Sequence, residues 1–203
     1  MKIILLVGGK SQRLKSDKLQ KKHNSKSLLL IKNKILLFYS IKAYIKYNFN
    51  EFILPLGFYK DDFIKFFKNR TSFYGYDLKV FFNVKKFIEY KSNKKEIKFF
   101  IFDAGKTSNK AERILKTLKK INLKEFGVSY GDGVGNVNIK KVFNFHKTGK
   151  QIVTCVGYKP FSQYGQFKED KNFKIINFNE KIIINEWANI GYYFFKKEAI
   201  KTL

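Results

Sequence analysis

Short apolar runs alternate along this chain with segments in which apolar residues recur at the spacing of a helix. The apolar runs have the length of β-strands, and we predict strands at residues 2–7, 51–56, 78–84, 97–102, 125–130, 151–158, 173–178 and 190–195. Strands that alternate with helices are typical of α/β domains with a mostly parallel central sheet. No internal repeat and no linker divides the sequence, so the pattern predicts one α/β domain over residues 1–203.

Two segments between the predicted strands have the spacing of amphipathic helices. In residues 110–121 the apolar face comprises Ala111, Ile114, Leu115, Leu118 and Ile121. In residues 138–147 it comprises Ile139, Val142, Phe143 and His146. Because His146 continues an apolar stripe, we interpret it as a packing residue rather than a general base. Residues 85–96, rich in lysine, asparagine, serine and glutamate, are predicted to form a loop.

The chain carries a formal net charge of +26, which on its own would favour a polyanionic partner. Of its 42 basic residues only Arg13, Arg70 and Arg113 are arginine, the residue that proteins use for bidentate recognition of bases and phosphates. The excess of lysine accompanies many asparagine, isoleucine and phenylalanine residues, as an AT-rich coding bias would produce. We therefore predict no nucleic-acid partner, with a basic nucleic-acid-binding domain as the alternative.

Hydropathy predicts no membrane-spanning helix, since no apolar stretch reaches the roughly 18 residues that a span requires. The apolar run over residues 1–7 ends at Gly8 and Gly9, which is too early for a signal peptide. Cys155 is the single cysteine, so no internal disulfide can form, and this fits a reducing compartment. We expect a cytoplasmic protein without a membrane partner.

A glycine pair and an arginine follow the first predicted strand. Gly8 and Gly9 allow the backbone to approach a triphosphate with its N–H groups turned inward, and Arg13 can neutralise phosphate charge. The spacing matches neither a P-loop nor a G-x-G-x-x-G motif. An ordinary turn is the alternative interpretation.

An aspartate between two glycines follows the strand predicted at residues 125–130. At the carboxyl end of a parallel strand, Asp132 would lie where α/β folds bind ligands. Its carboxylate can hold Mg²⁺ against nucleotide phosphates, and Gly131 and Gly133 would leave room for the ligand. The alternative is a tight Gly-Asp-Gly turn without a ligand.

These motifs occur in the order found in the sugar-phosphate nucleotidyltransferases. Residues 5–14 resemble the G-G-x-G-T-R-L signature of that family, with Ser11 at its third glycine and Gln12 at its threonine. Residues 24–27 stand where the family has K-P-K-P, which makes Lys26 the counterpart of its nucleotide-contacting lysine. The stretch Y-G-D-G-V at residues 130–134 and the helix after it resemble the glucose-1-phosphate cytidylyltransferases in particular.

Later segments resemble further motifs of the same family. Residues 103–105 resemble its D-T-G element. Residues 178–181 resemble F-x-E-K, in which the glutamate, here Glu180, faces the sugar and the lysine, here Lys181, meets the sugar phosphate. Asn189 occupies the place of the sugar-contacting asparagine of W-I-N-G-G-F-F. The resemblance therefore extends along essentially the whole chain.

The resemblance implies a Rossmann-like, mostly parallel mixed sheet flanked by helices, the fold of the nucleotide-diphospho-sugar transferases. It implies transfer of a nucleotidyl group, CMP from CTP in the first place, to a sugar 1-phosphate such as glucose 1-phosphate, with release of pyrophosphate. The family's second metal-binding aspartate lies in a C-terminal segment that does not occur before Leu203, so we expect a C-terminally short domain. The alternatives are a truncated, catalytically weak nucleotide-binding homologue and a nucleotidyltransferase for another base or sugar. A homo-oligomer is also open, because relatives commonly assemble.

The resemblance also assigns a role to each matching residue. The expected catalytic residues are Arg13, Lys26, Asp132 and Lys181, with Asp132 as the ligand of Mg²⁺. The expected sugar-phosphate contacts are Glu180, Lys181 and Asn189. The expected nucleotide contacts are Leu6, Val7, Gly8, Gly9, Ser11, Gln12, Arg13, Lys26, Ser108, Arg113 and Gly131.

Overall fold

The computed structural model describes residues 1–10, 25–83, 96–121 and 123–202. Its strands are β1 (Lys2–Leu6), β2 (Leu30–Ile31), β3 (Lys34–Ile35), β4 (Glu51–Leu56), β5 (Ser72–Phe73), β6 (Tyr76–Phe82), β7 (Glu96–Asp103), β8 (Glu125–Tyr130), β9 (Val153–Tyr158), β10 (Gln166–Glu169), β11 (Ile175–Asn179) and β12 (Ala188–Lys196). Its α-helices are α1 (Leu36–Ile45), α2 (Lys60–Phe67), α3 (Lys110–Lys120) and α4 (Ile139–Thr148). Short 3-10 helices cover Lys26–Leu28 and Lys197–Thr202. The predictions for Ser11, Gln12 and Arg13, and for the loop over residues 85–95, lie outside the described residues.

A mixed eight-stranded sheet forms the centre of the fold, in the order β5-β6-β7-β4-β1-β8-β12-β9. Strands β6, β7, β4, β1 and β8 run parallel to one another. Strand β12 is antiparallel to both β8 and β9, and β5 is antiparallel to β6. The predicted mostly parallel mixed sheet is therefore confirmed.

Helices cover both faces of this sheet. Successive residues of a strand point to opposite sides, so the apolar central strands present apolar side chains on both faces. Ile3 and Leu5 of β1 pack in a buried cluster with residues of α1, α2 and the first turn of α4. Ile4, between them, packs in a second cluster with Ile114 of α3. Strands buried on both faces have continuous apolar sequences, which is why the central strands were readable as apolar runs.

Both predicted helices are present, with small shifts at their ends. A capping box between Asn109 and Glu112 begins α3, which satisfies backbone N–H groups that a helix start leaves unpaired. The side chain of Asn138 caps α4 in a similar way. Ala111, predicted on the apolar face of α3, is exposed, whereas Arg113 is buried. Compared with the predicted apolar face, the buried face of α3 therefore excludes Ala111 and includes Arg113.

His146 is a packing residue, as its position in the apolar stripe predicted. It is fully buried on α4, and its Nδ1 lies 2.8 Å from the hydroxyl oxygen of Thr154 on β9. Burial, together with the nearby Lys196, lowers the pKa of its imidazole below the usual 6.5. A neutral imidazole therefore joins α4 to the sheet. In the described part of the chain, His146 is not among the residues that line the candidate cavity.

The structure departs from the predicted elements at three places. The strand predicted at residues 173–178 is β11, which pairs with β10 in a separate, exposed two-stranded sheet. Helices α1 and α2 were not among the predicted helices. The segment of α1 has only Ser40 and Lys42 as non-apolar residues, which is too little polar contrast to show a helical period. Glu96, predicted in a loop, is the first residue of β7 and is buried.

The chain reverses its direction of winding at β1. It passes from β1 through α1 to β4 on one side, and from β7 through α3 to β8 on the other side of β1. In open α/β sheets, ligands bind in the crevice at the carboxyl ends of strands where such a reversal occurs. The fold therefore places this crevice between the ends of β1 and β8, which lead to Gly8 and Asp132.

Candidate functional site

A cavity of about 870 Å³ opens at the carboxyl ends of β1 and β8. Four stretches of chain form its walls: the end of β1 with the loop after it, residues 25–27, residues 106–113, and the end of β8 with Asp132. Its size is in the range of cavities that hold small organic ligands. The cavity thus lies in the crevice that the strand order defines.

The described part of the loop after β1 is held against the residues that follow β4. The carbonyl of Lys10 accepts a hydrogen bond from the Tyr59 hydroxyl at 2.8 Å, and the carbonyl of Gly8 accepts one from the Phe58 N–H at 3.4 Å. Gly9 is exposed, with open space where a side chain would stand. The backbone at Gly9 is therefore accessible to a ligand in the cavity.

Arg113, which lines the cavity, joins the end of β4 to the loops after β1 and β7. Its guanidinium, on α3, donates to the carbonyls of Pro55 at 3.1 Å and Leu56 at 2.8 Å, both at the end of β4. It also donates to the carbonyls of Gly8 at 3.2 Å and Gly105 at 3.1 Å. Burial lowers the pKa of this guanidinium, and only 4% of the residue is exposed. Arg113 therefore braces the loop after β1 through backbone carbonyls.

The absence of side chains at Gly8 and Gly57 makes room for this guanidinium. A Cβ atom added at either glycine would overlap the terminal nitrogens of Arg113. Any other residue at these positions would have to displace the arginine or the backbone. Glycine at position 8 is thus required by the Arg113 contact.

Asp132 follows β8 in a turn at the cavity. The N–H of Gly131 donates to the carbonyl of Leu6 at 3.3 Å, which joins this turn to the end of β1. A side chain at Gly131 would overlap Val7 and touch the Ser27 hydroxyl. Glycine therefore lets the end of β8 pack on β1 and on the 3-10 helix that begins with Lys26. Asp132 itself is exposed.

Lys110, the first residue of α3, contacts Tyr130 at the end of β8. Its Nζ lies 4.4 Å from the centre of the Tyr130 ring and donates to the Tyr130 hydroxyl at 3.3 Å. Burial alone would raise the pKa of the Tyr130 phenol, but its hydrogen bonds to Tyr193, Lys110 and Asn189 hold it below the usual range. Asn189 also bonds to the Tyr193 hydroxyl and accepts a hydrogen bond from the N–H of Gly191 at 2.8 Å.

The loop between β7 and α3 is fixed by polar side chains. The carboxylate of Asp103 accepts hydrogen bonds from Lys60 at 2.7 Å and from a backbone N–H two residues on at 2.8 Å. These bonds, that of Lys60 above all, hold the pKa of Asp103 below its usual range. Ser108 donates to a carbonyl of the same loop and accepts a hydrogen bond from Lys116 at 2.7 Å. Ser108 therefore reaches the cavity from a fixed position.

The cavity is strongly cationic. Five of its side chains carry positive charge, namely those of Lys10, Lys26, Lys106, Lys110 and Arg113. Among the described residues that line it, Asp132 is the one acid. Several cations and exposed backbone N–H groups in one concave site attract polyphosphates rather than neutral ligands.

The donor set fits a magnesium ion only in part. The described residues contain no group of three or more histidine, cysteine, aspartate or glutamate side chains that could hold a metal by themselves. Mg²⁺ is commonly held by one or two carboxylates together with substrate phosphates and water. The exposed carboxylate of Asp132, beside a cationic cavity, fits this second arrangement, with Asp132 as the protein ligand.

The structure brings most of the described candidate nucleotide contacts to one cavity. The predicted residues that line it are Leu6, Val7, Gly8, Gly9, Lys26, Ser108, Arg113 and Asp132. Gly131 lies directly beneath, between Val7 and Ser27. The three predicted sugar-phosphate residues Glu180, Lys181 and Asn189 are exposed and, in the part of the chain that the structure describes, are not among the lining residues. Their roles stay predictions.

Sequence reasoning missed several residues of the cavity. These include Lys10, Lys106, Asn109, Lys110 and Tyr130. Tyr130 stands inside the Y-G-D-G-V stretch, so the motif could have pointed to it. The lysines carried no comparable signal, because a chain with 42 basic residues offers no local contrast around any one of them.

Comparison with known proteins gives a family and several relatives. The model of the family described as "Nucleotidyl transferase" matches residues 2–203. A probable glucose-1-phosphate cytidylyltransferase of Bacillus subtilis is 29% identical over 208 residues, which cover 100% of this chain and 78% of that protein. The glucose-1-phosphate cytidylyltransferase of Salmonella typhimurium is 25% identical over 166 residues, 81% of this chain and 63% of that protein.

Solved structures share the fold at low identity. HddC from Yersinia pseudotuberculosis, complexed with GMP-PN, has a TM-score of 0.60 at 18% identity and covers 100% of this chain and 79% of its own. A putative glucose-1-phosphate thymidylyltransferase from Bacillus anthracis, in complex with a sucrose, has a TM-score of 0.65 at 16% identity and covers 99% of this chain and 73% of its own. In the described residues, no helix is long and apolar enough to cross a membrane.

Proposed function

The chain belongs to the nucleotidyl transferase family, and on that premise we propose that it transfers a nucleotidyl group from a nucleoside triphosphate to a sugar 1-phosphate and releases pyrophosphate. The observation that carries the proposal is the cavity between β1 and β8. There the Gly8-Gly9 backbone, Lys26 and Asp132 meet in a site with four further cations. This set suits a triphosphate and a divalent cation.

The chemistry asked of the protein is positioning and charge neutralisation. A phosphate oxygen of the sugar 1-phosphate attacks the α-phosphorus of the nucleotide in line, the bond to the β-phosphate oxygen breaks, and pyrophosphate leaves. No side chain has to act as a covalent nucleophile. Lys26, which lines the cavity, and Arg13, assigned by its motif position, would neutralise the triphosphate and the leaving group.

Mg²⁺, held by Asp132 and the nucleotide phosphates, would supply further charge neutralisation at the α-phosphate. Ser108 and the backbone at Gly9, which both line the cavity, would meet the nucleotide. On the sugar side, we assign Lys181 to the sugar phosphate and Glu180 and Asn189 to the sugar itself. These three assignments rest on motif position alone.

We further propose CTP and glucose 1-phosphate as the preferred substrates. Two relatives, one named as a glucose-1-phosphate cytidylyltransferase and one as a probable one, support this choice, as does the resemblance of the Y-G-D-G-V stretch to those enzymes. The fold also accommodates other specificities, since its structural relatives include a putative thymidylyltransferase and a GMP-PN complex. Substrate choice therefore needs a direct comparison.

The test is pyrophosphate release with each of CTP, UTP, dTTP, ATP and GTP, paired in turn with glucose 1-phosphate and mannose 1-phosphate. The product is identified by mass spectrometry. We expect CDP-glucose to form fastest. Faster formation of another nucleotide sugar would correct the substrates and keep the reaction, whereas nucleotide binding without turnover would favour the catalytically weak homologue.

A further inference from the structure

Lys110 stands where a lysine is electrostatically unfavourable unless an anion is near. It is the first residue of α3, and the amino end of a helix carries partial positive charge. In the described part of the chain no carboxylate forms an ion pair with it. The nearby acid of the first helical turn, Glu112, is engaged in the capping box with Asn109. A cation is therefore kept at a positive helix end with no acidic partner among the residues that the structure describes.

The side chain of Lys110 is nevertheless held in one place by Tyr130. The ammonium nitrogen lies 4.4 Å from the centre of the Tyr130 ring and donates to the Tyr130 hydroxyl at 3.3 Å. Tyr130 in turn is anchored through its hydroxyl to Tyr193 and Asn189 of β12. A lysine whose rotamers are already restricted loses less entropy when it binds a ligand.

The held ammonium group faces the same cavity as the predicted nucleotide contacts. Lys110, Tyr130, Lys26 and Asp132 all line it. Phosphate oxygens are the ligands that a lysine in a cationic cavity most readily takes. We propose that Lys110 is a further phosphate-binding residue of this cavity and that Tyr130 is the residue that positions it. The inference rests on the proposed function for the identity of the phosphate compound, which is the nucleotide or the sugar 1-phosphate.

The experiment compares Lys110→Gln with a matched variant on the same helix. Lys119→Gln removes a charge from the last turn of α3, where the side chain is exposed and does not line the cavity in the described residues. Calorimetry with inorganic pyrophosphate, CTP and glucose 1-phosphate, each with Mg²⁺, gives the affinities. Lys110→Gln is expected to weaken at least one of them about tenfold, the loss of one charge-assisted contact. Lys119→Gln is expected to stay within about twofold, as distant exposed charges are largely screened.

The ligand that responds identifies the source of the phosphate. Weaker binding of CTP and pyrophosphate places Lys110 on the triphosphate, whereas weaker binding of glucose 1-phosphate alone places it on the sugar phosphate. Equal affinities for wild type and Lys110→Gln with all three ligands would overturn the inference. Pyrophosphate keeps this outcome separate from the proposed function, because a loss of pyrophosphate binding in Lys110→Gln would support the inference even if no nucleotide sugar formed. Failure of the wild type to bind any of the three would overturn both.

The positioning role of Tyr130 has its own readout. Tyr130→Phe keeps the ring under the ammonium group but removes the hydroxyl, and we expect it to weaken binding about threefold. If Tyr130 acts through Lys110, Lys110→Gln should cost clearly less in the Tyr130→Phe background than in the wild type. Additive effects would show that Tyr130 does not act through Lys110. Lys110→Arg keeps the charge and should bind within about threefold of wild type, which separates phosphate contact from a folding defect.

Discussion

Replacement of Arg113 separates a bracing role from direct nucleotide contact. Its guanidinium donates to four backbone carbonyls, two at the end of β4 and one each in the loops after β1 and β7. Arg113→Ala removes one donor from each of these carbonyls. Those of Gly8 and Leu56 keep a backbone N–H donor, from Phe58 and Ala104 respectively. A buried acceptor left without a partner costs about 1–3 kcal/mol. Removing Arg113 also removes the unfavourable desolvation of a buried charge, which offsets part of this cost. We therefore expect a net destabilisation of about 3 kcal/mol.

That change is large enough to measure in two ways. For a chain of this length it corresponds to a drop in Tm of roughly 6–12 °C, and urea unfolding gives the free energy itself. Nucleotide affinity should fall about tenfold, because the carbonyl of Gly8 loses the stronger-held of its two donors and keeps only the Phe58 N–H at 3.4 Å. Gly57→Ala should destabilise in the same direction with the arginine present, since its added Cβ would occupy the space of the guanidinium.

Lys119→Ala is the control for loss of a basic residue from α3, and we expect its stability within about 0.5 kcal/mol of wild type. Arg113→Ala with wild-type stability and lost nucleotide binding would refute the bracing role. It would instead place the guanidinium on the ligand, as its motif position implies.

Three further predictions follow from the site and the core. Lys26→Ala should weaken triphosphate binding and Lys181→Ala should raise the KM for the sugar phosphate, each roughly ten- to a hundredfold. The control variant Lys42→Ala should change neither quantity. Equal effects of Lys26→Ala and Lys181→Ala on both ligands would contradict separate subsites. Lys98→Ala should lower the free energy of unfolding in urea by about 3 kcal/mol, because the ammonium group of fully buried Lys98 lies 3.3 Å from the Glu96 carboxylate and 3.8 Å from that of Glu51. A loss under about 1 kcal/mol would mean that the ion pairs of Glu51 with Lys2 and of Glu96 with Lys79 are enough to stabilise these carboxylates. His146 has a folded-state pKa below the usual 6.5, so its contribution to stability is complete above about pH 6.5 and declines as the pH falls through the folded pKa. His146→Gln should flatten the change in urea midpoint between pH 7.5 and 5.5, and an unchanged slope would assign the pH dependence to other groups.

The central strands and two helices could be predicted from the sequence because each carries its own pattern. The strands at residues 51–56 and 125–130 match β4 and β8 at both ends, since apolar runs bounded by polar residues mark buried parallel strands. Helix α1 has little such contrast: Ser40 and Lys42 are its only non-apolar residues, and Leu37, Phe38, Ile41, Tyr44 and Ile45 are all buried. Tertiary packing, and not local periodicity, decides its conformation.

The candidate site was predictable where it follows strand ends and not where it depends on contacts across the chain. Gly8 and Asp132 each follow a readable strand, so their meeting at one edge of the sheet follows from the fold. The brace of Arg113 joins carbonyls up to 105 residues away, and no local pattern encodes it. Lys110 acquires its interpretation only from its contact with Tyr130, 20 residues later.

The proposed function requires that the cavity between β1 and β8 binds a nucleoside triphosphate with its metal ion at Asp132. Calorimetric titration of CTP into wild type and Asp132→Asn, with Mg²⁺ and with a chelator, measures this binding. Asp132 is exposed, so the substitution should leave the Tm within about 1 °C of wild type. We expect wild type to bind CTP with Mg²⁺ at least tenfold more tightly than Asp132→Asn, and the two proteins to bind alike in chelator. Equal affinities in the presence of Mg²⁺, or no CTP binding by the wild type, would contradict the claim.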